Sequence, residues 1–431
     1  MQRWHNWGRT EAVEGIRVVR PDDTDELASL LADGSAQHVR PLGSGHSFSG
    51  IGAPEEVALD VGAFSGLLAV DRERRRVTLG AGTHLWEIPG LLSGHRLAMQ
   101  NLGDIDRQTL AGALSTGTHG TGAAFGGLST QVVGVTLVTG DGRVLTVDED
   151  TQPELLPFVR LGLGALGVLT EVTLQCVPAF SLRAEEATRD LASLNTDWDG
   201  WFDGADHAEF HWFPGTGRVV TKTNTRLPGD SALAPRSRIG RWVGEELLAN
   251  AVFGGLCAVS RHLPRTVPVI NRVATAAMGR GTFTEPSPRV FAAPRRVRFR
   301  EMEYAVPREQ MQEAFGRIRR LADGWPEPVE FPVEVRVAAA DDVALSPGHG
   351  RDIGYIAVHR HLRRDHTAYF AAAERIFADH DGRPHWGKLH RLDADDLAAL
   401  YPRFEEFLAV RDRLDPARRL TNPYLRRVLG S

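Results

Sequence analysis

The run Arg40-Pro41-Leu42-Gly43-Ser44-Gly45-His46-Ser47-Phe48-Ser49 sets one histidine inside a glycine loop near the N-terminus. Gly43 and Gly45 permit a tight turn that presents bare N–H groups, the construction that cradles a pyrophosphate. Phe48 stands where the third glycine of G-x-G-x-x-G belongs, so the loop is not a dinucleotide-binding Rossmann fingerprint. No Lys-Ser/Thr pair follows, so it is not a Walker loop either. Two readings stand at this point: a phosphate loop that carries a nucleophilic imidazole, or a surface turn with a solvated histidine.

Outward from the loop, His38–Leu42 reads as the strand that feeds it. Ile16–Arg20 reads as an earlier strand, and Asp23–Leu31 as a short helix with Thr24 as its cap. Further strands are predicted at Val57–Val61, Leu67–Val70, Arg76–Gly80, Val132–Thr139, Arg143–Val147 and Gly167–Gln175, with Gly140-Asp141-Gly142 as a hairpin signal. Composition shifts after Pro178, where Trp198, Trp201, Phe202, Phe210, Trp212 and Phe213 form an aromatic cluster and Arg226–Arg238 reads as a polar loop. Strands at Glu301–Val306, Val329–Ala338 and Ile353–Leu362 alternate with helices at Pro307–Leu321 and near Asp365–Ala378, which suits a sheet with helices on one face. Asp396–Ser431 reads as helical and then basic, with Arg411–Pro416 and Asn422-Pro423 placed to pack back on the first unit.

The bulk numbers narrow the class. With 431 residues the chain should form two or three core-bearing units. A net charge of −5, with basic residues interspersed among acids, argues against nucleic acid as partner. Two cysteines, Cys176 and Cys257, are too few for a disulfide framework and read as reduced core residues. The start Met1–Trp7 lacks the apolar stretch of a signal peptide, and no window approaches the ~18 apolar residues of a spanning helix. A cytoplasmic location without integral membrane contact is the expectation.

Three further stretches carry chemistry. Asn101–Asp106, Gly112 and Ser115–Gly122 are dense in glycine and hydroxyls, offering small donors to a polyanion, or else form a flexible surface loop. Gly164–Thr170 permits close backbone approach to a flat ring, or is a buried strand that contains glycine. In Phe331–Val337, strand periodicity puts Glu334 and Arg336 on one face and Val333, Val335 and Val337 on the other. That pair suits holding and deprotonating a polyol, or is an ordinary ion pair on a solvated face. His359, His361 and His366 have a spacing that zinc sites use, but no supporting shell is legible and no metal is assigned. Arg383–His390 is compact, aromatic and basic, and its Lys388 can set positive charge beside a redox cofactor.

The five motifs Gly43–Ser49, Asn101–Gly122, Arg300–Pro307, Glu334-Val335-Arg336 and His385-Trp386-Gly387-Lys388 occur in the order seen in the sugar-lactone and alditol oxidoreductases of the vanillyl-alcohol oxidase superfamily. The chain most resembles the actinobacterial L-gulono-1,4-lactone oxidase/dehydrogenase group. The resemblance implies an α+β fold with a two-lobed FAD-binding domain over residues 1–178. It also implies a substrate-binding domain with an antiparallel sheet and helices over 179–390, and a C-terminal segment, 391–431, returning to the first domain. It implies a covalent FAD bond at His46. Pro41, Leu42, Gly43, Ser44, Gly45 and Ser47 would lie at the pyrophosphate, and Gly103, Asp104, Thr109, Gly112, Thr116, Gly117, Thr118 and His119 would line the cofactor with Val168 and Lys388 near it. Asp104, Glu334, Arg336, His361 and Lys388 would face the substrate, and Glu334, Arg336 and Lys388 would act in catalysis.

His361 stands where alditol oxidases carry threonine, and Asp104 where they carry serine. The resemblance therefore favours an aldono-1,4-lactone over an alditol as the substrate. The expected partners are a sugar lactone or polyol and O2 or another electron acceptor. Gly103, beside the expected oxygen approach, leans the reading toward an oxidase. A zinc hydrolase and a non-enzymatic sugar-binding protein are the rival classes.

Overall fold

The computed structural model describes residues 2–237, 263–278, 281–293 and 297–430. Cys257 lies outside them. Cys176 is a buried free thiol, pushed up to about 11 by burial.

Strands β1 (Gln2–His5), β2 (Ala12–Val19), β3 (Val39–Leu42) and β4 (Val57–Asp60) form a sheet in the order β1-β2-β4-β3. β3 runs parallel to β4 and delivers the chain directly into the histidine loop. The helix Thr24–Asp33 packs Leu27 and Leu31 beneath this sheet. Its cap is Asp23, whose carboxylate accepts from Glu26 N at 2.8 Å, and not Thr24, which is the first helical residue.

A second sheet contains β5 (Leu67–Asp71), β6 (Arg76–Gly80), β8 (Val132–Val138), β9 (Val144–Asp148) and β10 (Val168–Gln175), in the order β5-β6-β10-β8-β9. The short β7 (Leu97–Ala98) pairs with β11 (Val177–Pro178). As the glycine-containing turn predicts, β8 and β9 are antiparallel. The stretch Asn101–Gly122 is no loose loop: Asn101, Thr109, Thr116, His119 and Thr121 are all buried, and the helix Leu110–Thr116 packs Leu110, Ala113 and Leu114 into the core. The helices Ala394–Leu400, Phe404–Leu414 and Pro423–Leu429 share that core through Leu397, Phe407 and Leu425. Asn422 locks the return by donating to the carbonyls of Gly50 (2.9 Å), Ile51 (3.2 Å) and Ala53 (2.8 Å).

From Phe180 onward the chain builds an antiparallel sheet of eight strands. They are β12 (Phe180–Asp190), β13 (His207–Trp212), β14 (Arg218–Pro228), β15 (Gly281–Pro286), β16 (Phe299–Pro307), β17 (Val333–Ala338), β18 (Ile353–His361) and β19 (Arg383–Pro384), in the order β15-β12-β14-β13-β17-β18-β16-β19. One face carries Phe210, Trp212, Val333, Val335, Val337, Met302, Tyr304, Ile356 and Val358, packed on the helices Met311–Asp323 and Thr367–Ala378. Met311, Ala314, Phe315 and Ile318 are the buried stripe of the first helix, as their spacing predicts.

Two expected boundaries move. The helix starts at Met311, after a 3-10 turn, rather than at Pro307, and β17 starts at Val333, after Pro332, which has no N–H for the ladder. The expected loop from Arg226 is strand through Pro228. Arg226 is no solvated residue, because its guanidinium stacks over Phe125 and Phe180 (4.1 and 4.5 Å). Among the described residues, no helix is long and apolar enough to cross a membrane.

Candidate active site

The glycine loop opens onto a cleft. Pro41, Leu42, Gly43, Ser44, Gly45, His46, Ser47, Thr109, Gly112 and Thr116 all line it, together with Trp4, Asn6, Gly164, Gly167 and Leu169. A Cβ on Gly43 would sit 2.9 Å from Thr109 Oγ1, and one on Gly112 3.0 Å from the same hydroxyl. The two glycines therefore keep a bare backbone floor on which an anionic group can rest. That floor fits the diphosphate of FAD, and the loop's own donors are small enough not to obstruct it.

The N-terminal segment clamps the loop. Trp7 N donates to Gly45 O (2.7 Å), and buried Asn6 donates through Nδ2 to Ser47 O (2.9 Å). The Trp7 indole stacks on His46 at 6.0 Å. Burial first, and the Arg107 cation second, hold the His46 imidazole below its ordinary value, so at neutral pH it is uncharged. An uncharged imidazole at the cleft wall is a nucleophile.

Gly117, Thr118 and Val168 are not among the residues that line this cleft. Gly117 ends the helix, and Thr118 bonds Gln108 Nε2 (2.9 Å). Val168 is in the core beside Val138, while Gly167 and Leu169 on either side of it reach the cleft. A Cβ on Gly103 would meet the His119 carbonyl at 3.0 Å, so the two backbones approach closely here.

Strand alternation builds the second part of the site on the sheet face opposite the aromatic core. In register across it lie Glu209, Arg336 and Tyr355, then His211, Glu334, Ala357 and Glu303, then His359 and Glu301. The face is buried, not solvated. Arg336 pairs with Glu334, with Glu209 (Nε–Oε2 2.8 Å) and with Asp104 (3.6 Å), and His211 Nε2 lies 3.6 Å from Glu334 Oε1. Burial raises the Glu209 carboxyl, but Arg336 and Lys222 outweigh it and hold the group at about 2. Glu334 Oε1 is buried, with the Arg336 guanidinium and the His211 ring as its charged neighbours.

Lys388 reaches the same face from the turn after β19. That turn touches the histidine loop: Phe48 N donates to Gly387 O (2.7 Å), and Lys388 Nζ lies 5.3 Å from the Phe48 ring. Its ammonium is not a free charge, since it pairs with Glu301 and lies 3.8 Å from Glu303. Burial lowers its proton affinity, but the two carboxylates more than compensate, so the amine stays charged. Each glutamate also meets a histidine: Glu301 meets His359 Nε2 (3.3 Å), and Glu303 meets His119 Nε2 (3.3 Å). The other nitrogens of these rings, both Nδ1, face the carbonyls of Pro332 (2.9 Å) and Gly120 (2.8 Å). The His119 ring stacks on Tyr355 at 3.5 Å.

His361, the histidine expected at the substrate, is half-buried beyond the cluster, with Nδ1 accepting from Arg363 N at 3.3 Å. His359, two residues earlier on the same strand face, is the histidine that meets Glu301. His366 faces Arg300 (3.0 Å), so His359, His361 and His366 do not gather. The groups that do converge, His119/Glu303/His385 and Glu301/Glu334/His359, each have a carboxylate facing Lys388 or Arg336. His385 is neutral, pushed down to about 3 by burial.

Sequence reasoning assigned no role to Glu209, His211, Glu301 or Glu303. Their signal was present as charged residues two apart inside apolar strands, His207-Ala208-Glu209-Phe210-His211 and Glu301-Met302-Glu303-Tyr304.

Residues 172–428 match the family model described as D-arabinono-1,4-lactone oxidase, and residues 16–148 match the one described as FAD binding domain. L-gulono-1,4-lactone dehydrogenase of Mycobacterium tuberculosis is 41% identical over 429 residues, covering 99% of each chain. L-gulonolactone oxidase of Bos taurus is 32% identical over 435 residues (99% of this chain, 98% of the relative). Alditol oxidase of a Streptomyces species is 30% identical over 438 residues (98% of each chain). The crystal structure of cholesterol oxidase from B. sterolicum superposes with a TM-score of 0.84 at 19% identity (99% and 96% covered), a likeness of fold alone.

Proposed function

We propose, from the premise that this chain belongs to the D-arabinono-1,4-lactone oxidase family and binds FAD, that it oxidises a secondary hydroxyl of an aldono-1,4-lactone to the ketone. The observation that carries the reading is the buried Glu334–Arg336 pair, on the sheet face that Lys388 reaches from the turn bonded to the histidine loop. Bound FAD supplies the acceptor for the hydride that leaves the carbinol carbon. Arg336, fixed by Glu209 and Asp104, orients the hydroxyl oxygen, and the Glu334 carboxylate that it holds alongside takes the proton. Lys388 and its carboxylates close the face toward the histidine loop. Asp104 adds a carboxylate at Arg336 that suits the several hydroxyls of a sugar lactone.

Steady-state rates on L-gulono-1,4-lactone, D-arabinono-1,4-lactone and xylitol test the reading. A lactone should be best, and xylitol best by a wide margin overturns it in favour of an alditol oxidase. The division into residues 1–178, 179–390 and 391–431 is part of the proposal, supported by the shared core of the last segment and the first.

We further infer that His46 bonds FAD covalently, on the support of its place in the cleft wall and its neutral ring. Acid precipitation should leave the yellow colour in the pellet for the wild type and release it for His46→Ala. Colour in the wild-type supernatant removes the bond. The acceptor is O2 or another carrier, and the packing at Gly103 offers no support for an oxygen channel there. Mixing the anaerobically reduced enzyme with aerated buffer decides it: reoxidation much slower than turnover with an artificial dye makes the protein a dehydrogenase.

A further inference from the structure

We propose that His359 is a further functional residue, a positioning group that acts through Glu301 to set the net charge which Lys388 presents to the cofactor cleft. The inference rests on FAD lying in that cleft. It assigns to an imidazole what a lone lysine beside the flavin would otherwise be credited with.

The charges on the buried face carry the argument. Five carboxylates, Asp104, Glu209, Glu301, Glu303 and Glu334, meet three permanent cations, Lys222, Arg336 and Lys388. At Lys388 itself the described residues set two carboxylates, Glu301 and Glu303, against one ammonium, away from water, where an uncompensated charge is expensive. Among the described groups touching these carboxylates the histidines have protons to add, and His359 is the one on which two carboxylates, Glu301 and Glu334, converge, whereas His119 meets Glu303 and another histidine. Glu301 faces it from β16 at 3.3 Å and the Pro332 carbonyl from the start of β17 at 2.9 Å. A neutral ring has one N–H and can serve only one of these acceptors, whereas the imidazolium serves both.

Glu334 on β17 converges with Glu301 on the same ring. The Phe299 ring packs against it edge-on at 5.1 Å, and Lys388 stands behind Glu301. Burial works against the charged form, but Glu301 and then Glu334 outweigh it and raise the proton affinity of His359 above the ordinary value.

The consequence has a sign. Lys388 with Glu301 and Glu303 alone amounts to one net negative charge. That is the wrong sign for a site whose cofactor gains negative charge on two-electron reduction. A protonated His359 cancels it. Because its proton affinity is raised, the charge is in place below the ordinary histidine value and is lost as pH rises through the higher folded-state value.

The test is the midpoint potential of FAD in the full-length holoprotein, titrated with dithionite against a reference dye from pH 6 to 9. No substrate is needed. His359→Asn should lower the potential and erase an alkaline drop that the wild type shows. Glu301→Gln, which removes one negative charge without changing shape, should raise it, and the double variant should return close to the wild type. In anaerobic reduction by a lactone, His359→Asn should be about tenfold slower, with most of the rate recovered in the double variant.

A merely structural role predicts the opposite, a double variant worse than either single. An unchanged potential and pH profile in His359→Asn, or no rise in Glu301→Gln, overturns the proposal. Should His359→Asn fail to hold FAD, Glu301→Gln alone decides. Should no lactone reduce the wild type, the substrate reading fails while the potentials still decide this one.

Discussion

Arg336→Ala should lower the rate of flavin reduction by about 10³-fold or more and destabilise the protein by about 3–5 kcal/mol, the cost of stranding buried carboxylates. The guanidinium is the shared partner of Glu334, Glu209 and Asp104, drawn from three separate parts of the chain, and its side chain is 8% exposed. Its removal leaves three carboxylates facing one another in low dielectric, and Glu334 loses the partner that fixes its direction. Arg336→Lys should recover only part of the loss, since one ammonium cannot serve Nε and Nη2 partners together.

The stability deficit has a pH signature. In the wild type Glu209 is held at about 2, so the stabilisation it contributes is present above the unfolded carboxyl value and is lost only as pH falls toward that low value. Without Arg336 that depression disappears, so the deficit in melting temperature should be largest near neutrality and should shrink as the solution is acidified through the carboxyl range. Thermal melts from pH 4 to 8 with stopped-flow reduction check both halves. A normal reduction rate in Arg336→Ala takes the residue out of the reaction.

Gly43→Val is expected to cost at least about 100-fold in FAD affinity, with a folded but colourless protein as the product. Even a single Cβ there stands 2.9 Å from Thr109 Oγ1 and 3.6 Å from Gly112 Cα, and valine adds two methyls over the backbone floor. Thr109 cannot retreat freely, because its hydroxyl caps the helix Leu110–Thr116 by accepting from Gly112 N at 3.2 Å. The absorbance ratio of flavin to protein after purification, with circular dichroism to confirm the fold, is the measurement. A fully loaded Gly43→Val protein would move the cofactor floor elsewhere.

Much of this molecule is determined locally. The glycine loop with its histidine, the strand that feeds it and the alternation of Glu334 and Arg336 against three valines depend only on backbone geometry and side-chain periodicity. They appear in the structure where the residues say they should. The family, too, was legible, because five short motifs in order are a property of sequence alone.

The electrostatics of the site belonged to the tertiary structure. Glu209 lies 127 positions from Arg336, and only the register of β13 beside β17 makes them partners. Glu301 and Glu303 read in the sequence only as part of a strand, and Lys388 as a cation that can stand beside a redox cofactor. The chain folds β16 against β18 and lays the turn after β19 over them, and each of those charges acquires buried neighbours. The strength and even the sign of a group's influence depend on separation and on exclusion from water. Neither quantity exists until distant strands pair and the first lobe covers their polar face. For that reason the sequence could name the face of β17 that carries Glu334 and Arg336, while only the assembled fold decided that His359 stands beside Glu301 and Glu334.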